Sequence, residues 1–180
     1  MGQFGFAAAW PGENVIYGAQ RPGYNAKSVG KDPVDDWIAF MKKQGIQRVC
    51  CLLGPDQLAF YTPDLLEQYR KAFGEDHVRS APVKDYHLCD RETLDMKILP
   101  FLLKADEAGE PTVVHCSGGS GRTGHILAAW LVRQRGLSPE SALGAVVAAG
   151  RNPYESVGCG NATNAQLHEL LTGGEAMHGN

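Results

Sequence analysis

The stretch Val113-Val-His-Cys-Ser-Gly-Gly-Ser-Gly-Arg-Thr-Gly124 places a cysteine and an arginine six positions apart around a glycine-rich turn. The apolar run before the cysteine predicts a buried strand, and the apolar pattern after Arg122 predicts a helix. The turn therefore leads into a helix N-terminus, where free backbone N–H groups and the positive end of the helix dipole favour a bound dianion. The same surroundings favour a thiolate at Cys116. The stretch predicts a phosphate-binding site that contains a nucleophile.

The residue types in this turn suit a phosphate group. The guanidinium of Arg122 matches two phosphate oxygens at once, and glycines let the backbone approach an oxyanion closely. The spacing excludes a Walker loop, which needs Gly-Lys-Ser/Thr, and a serine nucleophile elbow, which needs glycine two residues after its serine. The predicted phosphate-binding residues are Ser117, Gly118, Gly119, Ser120, Gly121 and Arg122.

The string His115-Cys116-(five residues)-Arg122-Thr123-Gly124 resembles the His-Cys-x5-Arg-Ser/Thr-Gly signature of protein tyrosine phosphatases, in their compact dual-specificity branch. The resemblance implies that Cys116 attacks phosphorus and forms a thiophosphate intermediate, while Arg122 and the loop amides hold the phosphate oxygens. It also implies that the Thr123 hydroxyl assists the thiolate and the breakdown of the intermediate. His115 takes the position that supports the low pKa of the cysteine in this family.

The resemblance further implies an aspartate general acid on a mobile loop upstream of the cysteine, and three residues compete for that role. Asp85 is expected within or before a short strand, and Asp95 within a helix. Asp90 follows the predicted strand and is therefore the predicted acid. The alternative is that Asp90 only caps the helix that begins near Glu92.

Four segments are predicted as strands: 14–19, 46–53, 82–88 and 111–115. Helical patterns alternate with them, including a long one at 92–108 that is expected to bend at Pro100. This alternation predicts a single α/β domain with a central, mostly parallel sheet flanked by helices, as in protein tyrosine phosphatases. The phosphatase domain is predicted to span residues 1–172, and the polar, glycine-rich tail 173–180 is predicted to be disordered.

Composition excludes several other classes of function. In this chain of 180 residues, 43% are hydrophobic, which is enough for one good core, and the net charge of −3 provides no basic field for nucleic acid. No apolar run reaches membrane-spanning length. The five cysteines are odd in number and lack metal-type spacing, so we expect a reducing cytoplasm, no metal and no other cofactor.

The predicted reaction is hydrolysis of phosphomonoesters, and the predicted partner is a phosphorylated protein. The predicted loop carries no lysine, which favours phosphotyrosine over phosphoinositides, while a shallow pocket would also accept phosphoserine and phosphothreonine. The alternatives are a catalytically silent phospho-binding module, a phosphatase for phosphoinositides or other small molecules, and a sulfurtransferase or arsenate reductase with a related cysteine loop. The oligomeric state stays open.

Two further roles stay open at this stage. Gln166, Asn161 or Asn164 is a candidate to position the hydrolytic water, although capping or solvation explains each of them equally. Cys50, Cys51 and Cys89 are candidates for redox regulation, but buried strand cysteines usually act as small hydrophobic residues.

Overall fold

The computed structural model describes residues 2–174, so most of the predicted tail 173–180 lies outside the described residues. Its single sheet contains five strands: β1 (Ala7–Ala8), β2 (Ile16–Ala19), β3 (Arg48–Cys51), β4 (Val78–Ser80) and β5 (Thr112–His115). Their order is β1-β2-β5-β3-β4, and every neighbouring pair is parallel except β1 and β2. The predicted central, mostly parallel sheet is confirmed, with the cysteine-bearing segment leaving its middle strand.

Nine α-helical segments lie around the sheet in residues 2–174: α1 (Lys31–Lys43), α2 (Pro55–Leu58), α3 (Leu65–Phe73), α4 (Arg91–Thr93), α5 (Leu99–Ala108), α6 (Gly121–Arg135), α7 (Pro139–Ala148), α8 (Glu155–Gly158) and α9 (Asn164–Thr172). A π-helical turn, Leu94–Ile98, joins α4 to α5, and two 3-10 turns lie at Gln3–Gly5 and Glu75–His77. No helix within this described range is long and apolar enough to cross a bilayer.

Successive side chains along each strand point to opposite faces of the sheet, and they pack into two hydrophobic cores, one on each face. Val49, Cys51 and Val113 pack with apolar residues of α1 and α3 on one face. Cys50 and Val114 pack on the other face with α5, α6, α7 and α9. Both faces of the parallel strands are therefore covered, which explains why these strands are almost continuously apolar.

Helix α6 is the most enclosed helix of the fold within residues 2–174. Every residue from Gly121 to Leu131 is buried, because α7 and α9 cover the side of α6 that faces away from the sheet. From Ile126 to Leu131 this buried stretch is entirely small or apolar, as burial on all sides favours, and its polar residues Arg122, Thr123 and His125 lie near the helix N-terminus. The helix N-terminus is thus fixed beside the carboxyl end of β5, which is where ligands bind in open α/β sheets.

The predicted strand 82–88 is wrong. Strand β4 ends at Ser80, and residues 81–90 form an irregular segment that we call the Asp85 loop. Pro82 has no N–H to donate to a ladder, and the following polar residues lack the two-residue alternation of a half-buried strand. Residues 91–108 form one uninterrupted helical run in which a π-helical turn precedes Pro100, whose ring is accepted near the start of α5.

Candidate active site

A cavity of about 230 Å3 opens at the carboxyl end of β5, above the N-terminus of α6. It is lined by Tyr24, Asp85, Tyr86, Cys116, Ser117, Gly118, Ser120, Gly121, Arg122 and Glu155. The structure therefore brings the cysteine, the arginine and most of the predicted phosphate-binding residues together. We call residues 116–121 the phosphate loop.

Cys116 follows β5 directly, and its backbone carbonyl is hydrogen-bonded to the ring of His115. The His115 ring is buried, its Nδ1 lies 3.1 Å from the Cys116 carbonyl oxygen, and its Nε2 lies 3.1 Å from the Tyr69 hydroxyl. Burial lowers the pKa of His115 to about 4, so the ring is neutral near pH 7. Because a carbonyl only accepts, Nδ1 carries the proton and Tyr69 donates to Nε2. His115 thus fixes the backbone of the cysteine as a neutral donor.

Arg122 extends under the cavity with only 2% of its surface exposed. Its Nη1 donates to the Gln57 side-chain oxygen at 2.9 Å and to the Val83 carbonyl at 3.1 Å, while Nη2 pairs with Asp85 at 2.9 Å. The buried Nε has no hydrogen-bond partner within residues 2–174. A buried N–H without a partner is costly, so this group is poised to bind an anion in the cavity.

Two glycines of the phosphate loop are required by their surroundings. Gly119 has a φ of +66°, and a Cβ there would overlap the carbonyl of Ala19 on the neighbouring strand β2. A Cβ at Gly121 would overlap the Glu155 carboxylate. Glycine at these positions lets the loop curl tightly between β2 and the cavity.

Two buried arginines outside the predicted motif clamp the outer side of the phosphate loop. The Arg21 Nε donates to the Ser117 hydroxyl at 3.0 Å, and the backbone N–H of Arg21 donates to the Ser117 carbonyl at 3.0 Å. Arg151 donates to the Gly119 carbonyl and to the carbonyls of Gly5 and Ala7. The Ser117 and Gly119 carbonyls are thus bound from the side of the loop formed by Arg21 and Arg151.

The hydroxyl residues Ser120 and Thr123 at the start of α6 have different surroundings: Ser120 lines the cavity, and Thr123 lies outside its lining. The Thr123 hydroxyl is buried and has no hydrogen-bond partner within residues 2–174, and its role beside the thiolate stays a prediction. The Ser120 hydroxyl instead accepts from the Asn152 backbone N–H at 3.1 Å. Ser120 therefore ties the loop to the segment that precedes α8.

The carboxylate that reaches the cavity from upstream is Asp85, not the predicted Asp90. Asp85 pairs with Arg122 and accepts from the Gln57 side-chain amide at 3.1 Å. Asp85 lies in a loop and not within the predicted strand, so its backbone is not held in a sheet.

Asp90 and Asp95 both lie outside the cavity lining. Asp90 is the N-cap of α4, and its side chain accepts from the Thr93 backbone N–H at 2.7 Å. That hydrogen bond lowers the pKa of Asp90 and so favours its ionised form. Asp95 pairs with Arg91 and Arg133 on the adjacent helical surface. Asp90 therefore caps a helix, as the alternative interpretation of this residue predicted.

Both ends of the Asp85 loop are attached, but its middle is exposed. At the start, the backbone N–H groups of Ala81 and Val83 donate to Cys51 and Leu52. At the end, the Cys89 N–H donates to His125 Nε2 at 3.1 Å. Between them, Tyr86 is 52% exposed and takes a left-handed φ of +59°, an unusual conformation for a bulky residue. Asp85 therefore sits next to a strained, exposed residue.

None of the residues proposed to position water lines the cavity. Gln166 closes a capping box with Thr163 at the start of α9. Asn161 donates to the Tyr86 carbonyl at 2.9 Å, and Asn164 is the first residue of α9. Glu155, which belongs to no motif recognised in the sequence, lines the cavity from the start of α8.

The other cysteines are free thiols. Cys50 and Cys89 share a core cluster with Cys116, while Cys51 points to the opposite core. Burial raises the pKa of Cys51 and of Cys89 to about 12, so both stay protonated near neutral pH. No group of three or more potential metal ligands occurs within residues 2–174.

Comparison with family models identifies one match. Residues 35–173 match the model described as the Swiss Army Knife protein, DSP-PTPase phosphatase domain. That range contains the phosphate loop, Arg122 and the whole Asp85 loop. No curated protein sequence matches the chain.

Solved structures with the same fold include several phosphatases. Kinase associated phosphatase, with its catalytic-site cysteine replaced by serine, aligns with a TM-score of 0.71 and 23% identity over 89% of this chain and 88% of that one. Tk-PTP in its active form has a TM-score of 0.64 and 24% identity over 91% and 92% of the two chains. PTPMT1 in complex with PI(5)P has a TM-score of 0.65 and 16% identity over 95% and 99%.

Proposed function

The chain belongs to the DSP-PTPase phosphatase domain family of Swiss Army Knife proteins and is a cysteine-dependent phosphatase, and we propose that it hydrolyses phosphotyrosine in proteins through a phosphocysteine intermediate. One observation carries the proposal: Cys116, Arg122 and Asp85 line the same small cavity at a helix N-terminus. The proposal is supported because these three side chains could supply a nucleophile, a fixed cation and a proton-carrying group around one small cavity.

In the first step the Cys116 sulfur attacks phosphorus, and the bond from phosphorus to the ester oxygen breaks. The phosphate loop amides, Arg122 and the dipole of α6 hold the phosphate oxygens and stabilise the charge of the transition state. Arg122 is preorganised for this because Gln57 and Val83 fix one side of its guanidinium. A phosphate dianion in the cavity competes with Asp85 for the other side.

We propose Asp85 as the general acid in place of Asp90. The departing oxygen needs a proton, and Asp85 is on the upstream loop that lines the cavity beside Cys116. Phosphate binding to Arg122 frees Asp85 from its ion pair, which leaves the carboxyl free to meet the leaving group. In the second step the same carboxylate takes a proton from water.

The rim of the cavity favours an aromatic phosphate ester. Tyr24 and Tyr86 line the cavity, and both are more than 40% exposed. Their rings offer apolar faces against which a phosphotyrosine ring can stack. Arg122 is the one cation among the lining residues, and it is accompanied by two carboxylates, Asp85 and Glu155. That balance disfavours substrates that carry several phosphates.

The test uses purified protein in the presence of a metal chelator. A phosphotyrosine peptide, the matching phosphoserine peptide and vesicles containing PI(5)P, the lipid in the PTPMT1 complex, are compared by phosphate release. We expect the phosphotyrosine peptide to have the highest kcat/KM and Cys116→Ser to have no activity. Activity that survives in Cys116→Ser would overturn the mechanism, and faster release from the lipid would overturn the substrate assignment.

The cytoplasmic location predicted from the cysteines also stands as a proposal. The free thiols at all five cysteines support it, since an oxidising compartment would expose Cys116 and Cys159 to disulfide formation. Cell fractionation with an antibody against the chain is the test, and recovery in a secreted fraction would contradict it.

A further inference from the structure

Hydrolysis of the intermediate requires a water molecule at a defined place. Because both displacements are in line, the leaving oxygen of the first step and the attacking water of the second occupy the same side of phosphorus, opposite the Cys116 sulfur. In the second step the water oxygen bonds to phosphorus, the phosphorus–sulfur bond breaks, and a water proton moves to Asp85. The water has a second proton, which needs an acceptor if the molecule is to be held in line.

The cavity lining offers few acceptors for that second proton. Asp85 is already assigned to the first proton, and the hydroxyls of Tyr24 and Tyr86 lie on the exposed rim. Gln166, Asn161 and Asn164 lie outside the lining. The Ser117 and Ser120 hydroxyls already accept from Arg21 and from the Asn152 N–H. Glu155 is therefore the remaining side chain of the lining with a strong acceptor.

The carboxylate of Glu155 is placed over the first residue of α6. It occupies the space that a Cβ on Gly121 would fill, so the missing side chain at Gly121 admits it to the phosphate loop. The backbone N–H of Asn152 donates to the Ser120 hydroxyl, and α8 starts three residues later at Glu155. This hydrogen bond holds the start of α8 next to the phosphate loop. No ion pair or side-chain hydrogen bond within residues 2–174 satisfies the carboxylate, and the side chain is half-buried.

The surroundings of Glu155 make its carboxyl easier to protonate than that of a free glutamate. Burial, and then the negative charge of Asp85, raise the pKa of Glu155, while Arg122 acts in the opposite direction. The other titratable groups that face it across the cavity are the Cys116 thiol and the hydroxyls of Tyr24 and Tyr86. A raised pKa lowers the cost of bringing a phosphate dianion beside this carboxyl, which has an oxygen that accepts a hydrogen bond in either protonation state.

We propose that Glu155 orients the hydrolytic water during breakdown of the phosphocysteine intermediate, an inference that rests on the function proposed above. Glu155 accepts a hydrogen bond from the water while Asp85 removes the transferred proton. It therefore acts in the second step of the reaction and contributes little to the first.

The test is rapid mixing of the enzyme with p-nitrophenyl phosphate, which reports the two steps separately. In Glu155→Ala we expect steady-state turnover to fall about 10- to 100-fold, because the water is no longer held in line. The first step stays fast, so a burst of p-nitrophenol equal to the concentration of active sites precedes the slow phase. Glu155→Gln retains an acceptor oxygen of the same reach, and it should keep most of the wild-type turnover with little burst.

The controls separate this role from a structural one and from failure of the proposed function. Glu140→Ala removes an exposed glutamate from the first turn of α7 and should leave both phases unchanged. Equal slowing of both phases in Glu155→Ala, wild-type kinetics in that variant, or loss of turnover in Glu155→Gln would each overturn the role of Glu155. If Glu155→Ala does not fold, the Glu155→Gln result decides alone. Absence of Cys116-dependent turnover in the wild type would instead overturn the proposed function.

Discussion

The phosphate loop and the Asp85 loop face each other across one cavity, but they are held in different ways. The phosphate loop is fixed from outside by two buried arginines and from behind by His115. The Asp85 loop is attached at its two ends, and its middle is exposed and carries a left-handed tyrosine. Buried groups thus hold the phosphate loop. The middle of the Asp85 loop is instead held by contacts that a ligand or solvent can replace, namely the pairing of Asp85 with Arg122 and Gln57 and the Asn161 hydrogen bond to the Tyr86 carbonyl.

This difference suits the two tasks. Electrostatic stabilisation requires donors that are already in place when charge develops on the phosphate. A general acid must instead approach the leaving group after the substrate has entered, and its loop must let the product leave. Changes in the phosphate loop should therefore affect all substrates, and changes in the Asp85 loop should depend on the leaving group.

Among the variants that compare the two loops, removal of the Arg122 guanidinium next to the phosphate loop should have the largest effect. In Arg122→Ala we expect kcat/KM to fall about 10³- to 10⁵-fold, because Arg122 supplies the one cation of the cavity lining. Arg122→Lys keeps a charge but loses the planar fork, and it should recover only a small part of the activity. The measurement is kcat/KM with an aryl phosphate, and a loss below tenfold in Arg122→Ala would contradict the assignment.

Adding one methyl group to the phosphate loop tests its rigidity. Gly119→Ala forces an alanine into a φ of +66° against the Ala19 carbonyl, so we expect about a 100-fold loss of kcat/KM through misplaced N–H donors. Gly144→Ala is the matched control, because a Cβ there meets no atom within 4 Å and lies in a helix. The control should keep full activity with a small gain in melting temperature. Comparable activity in both variants would show that the loop is not rigid.

Variants of Asp85 and Asp90 distinguish the proposed general acid from the helix cap. Asp85→Asn should lower kcat about 10²-fold for phenyl phosphate and less for p-nitrophenyl phosphate, whose leaving group needs little help from an acid. Asp90→Asn retains a good capping side chain and should change kcat little; Asp90→Ala should cost about 1 kcal/mol of stability. If Asp90→Asn shows the loss that depends on the leaving group, the assignment of Asp85 is wrong.

Acid should lower the stability of the fold, because each loop is held by a buried histidine: the phosphate loop by His115 and the Asp85 loop by His125. Burial lowers the pKa of His115 and of His125 to about 4, so the unfolded chain binds more protons than the folded chain between about pH 6.5 and 4. Stability is therefore constant above this window and falls as the pH drops through it. From pH 7 to pH 5 each histidine should cost on the order of 2 kcal/mol.

Urea unfolding at pH 7 and at pH 5 measures this loss. In His125→Asn the drop between the two pH values should be about half that of the wild type, because one of the two titrating groups is gone. An equal drop in wild type and His125→Asn would contradict the account of His125.

The two loops also differ in how far the sequence determines them. The strand, the glycine turn and the helix from 111 to 135 were predictable, because residue type and spacing within one short stretch dictate each of them. The Asp85 loop was not, because its path depends on distant partners such as Gln57, Arg122 and His125. The polar residues Lys84, Asp85 and His87 and the proline at 82 were the signal against a strand there. Glu155 had no local signal, since only the tertiary fold brings α8 to Gly121.

The most direct test of the central claim is to identify the phosphorylated residue during turnover. The enzyme is mixed with excess p-nitrophenyl phosphate, quenched by denaturation within the first turnovers and digested for peptide mass spectrometry. We expect a phosphoryl group on Cys116 that is absent from the Cys116→Ser protein. A phosphoryl group on Ser117, Ser120 or any other residue, or turnover that continues in Cys116→Ser, would contradict the account.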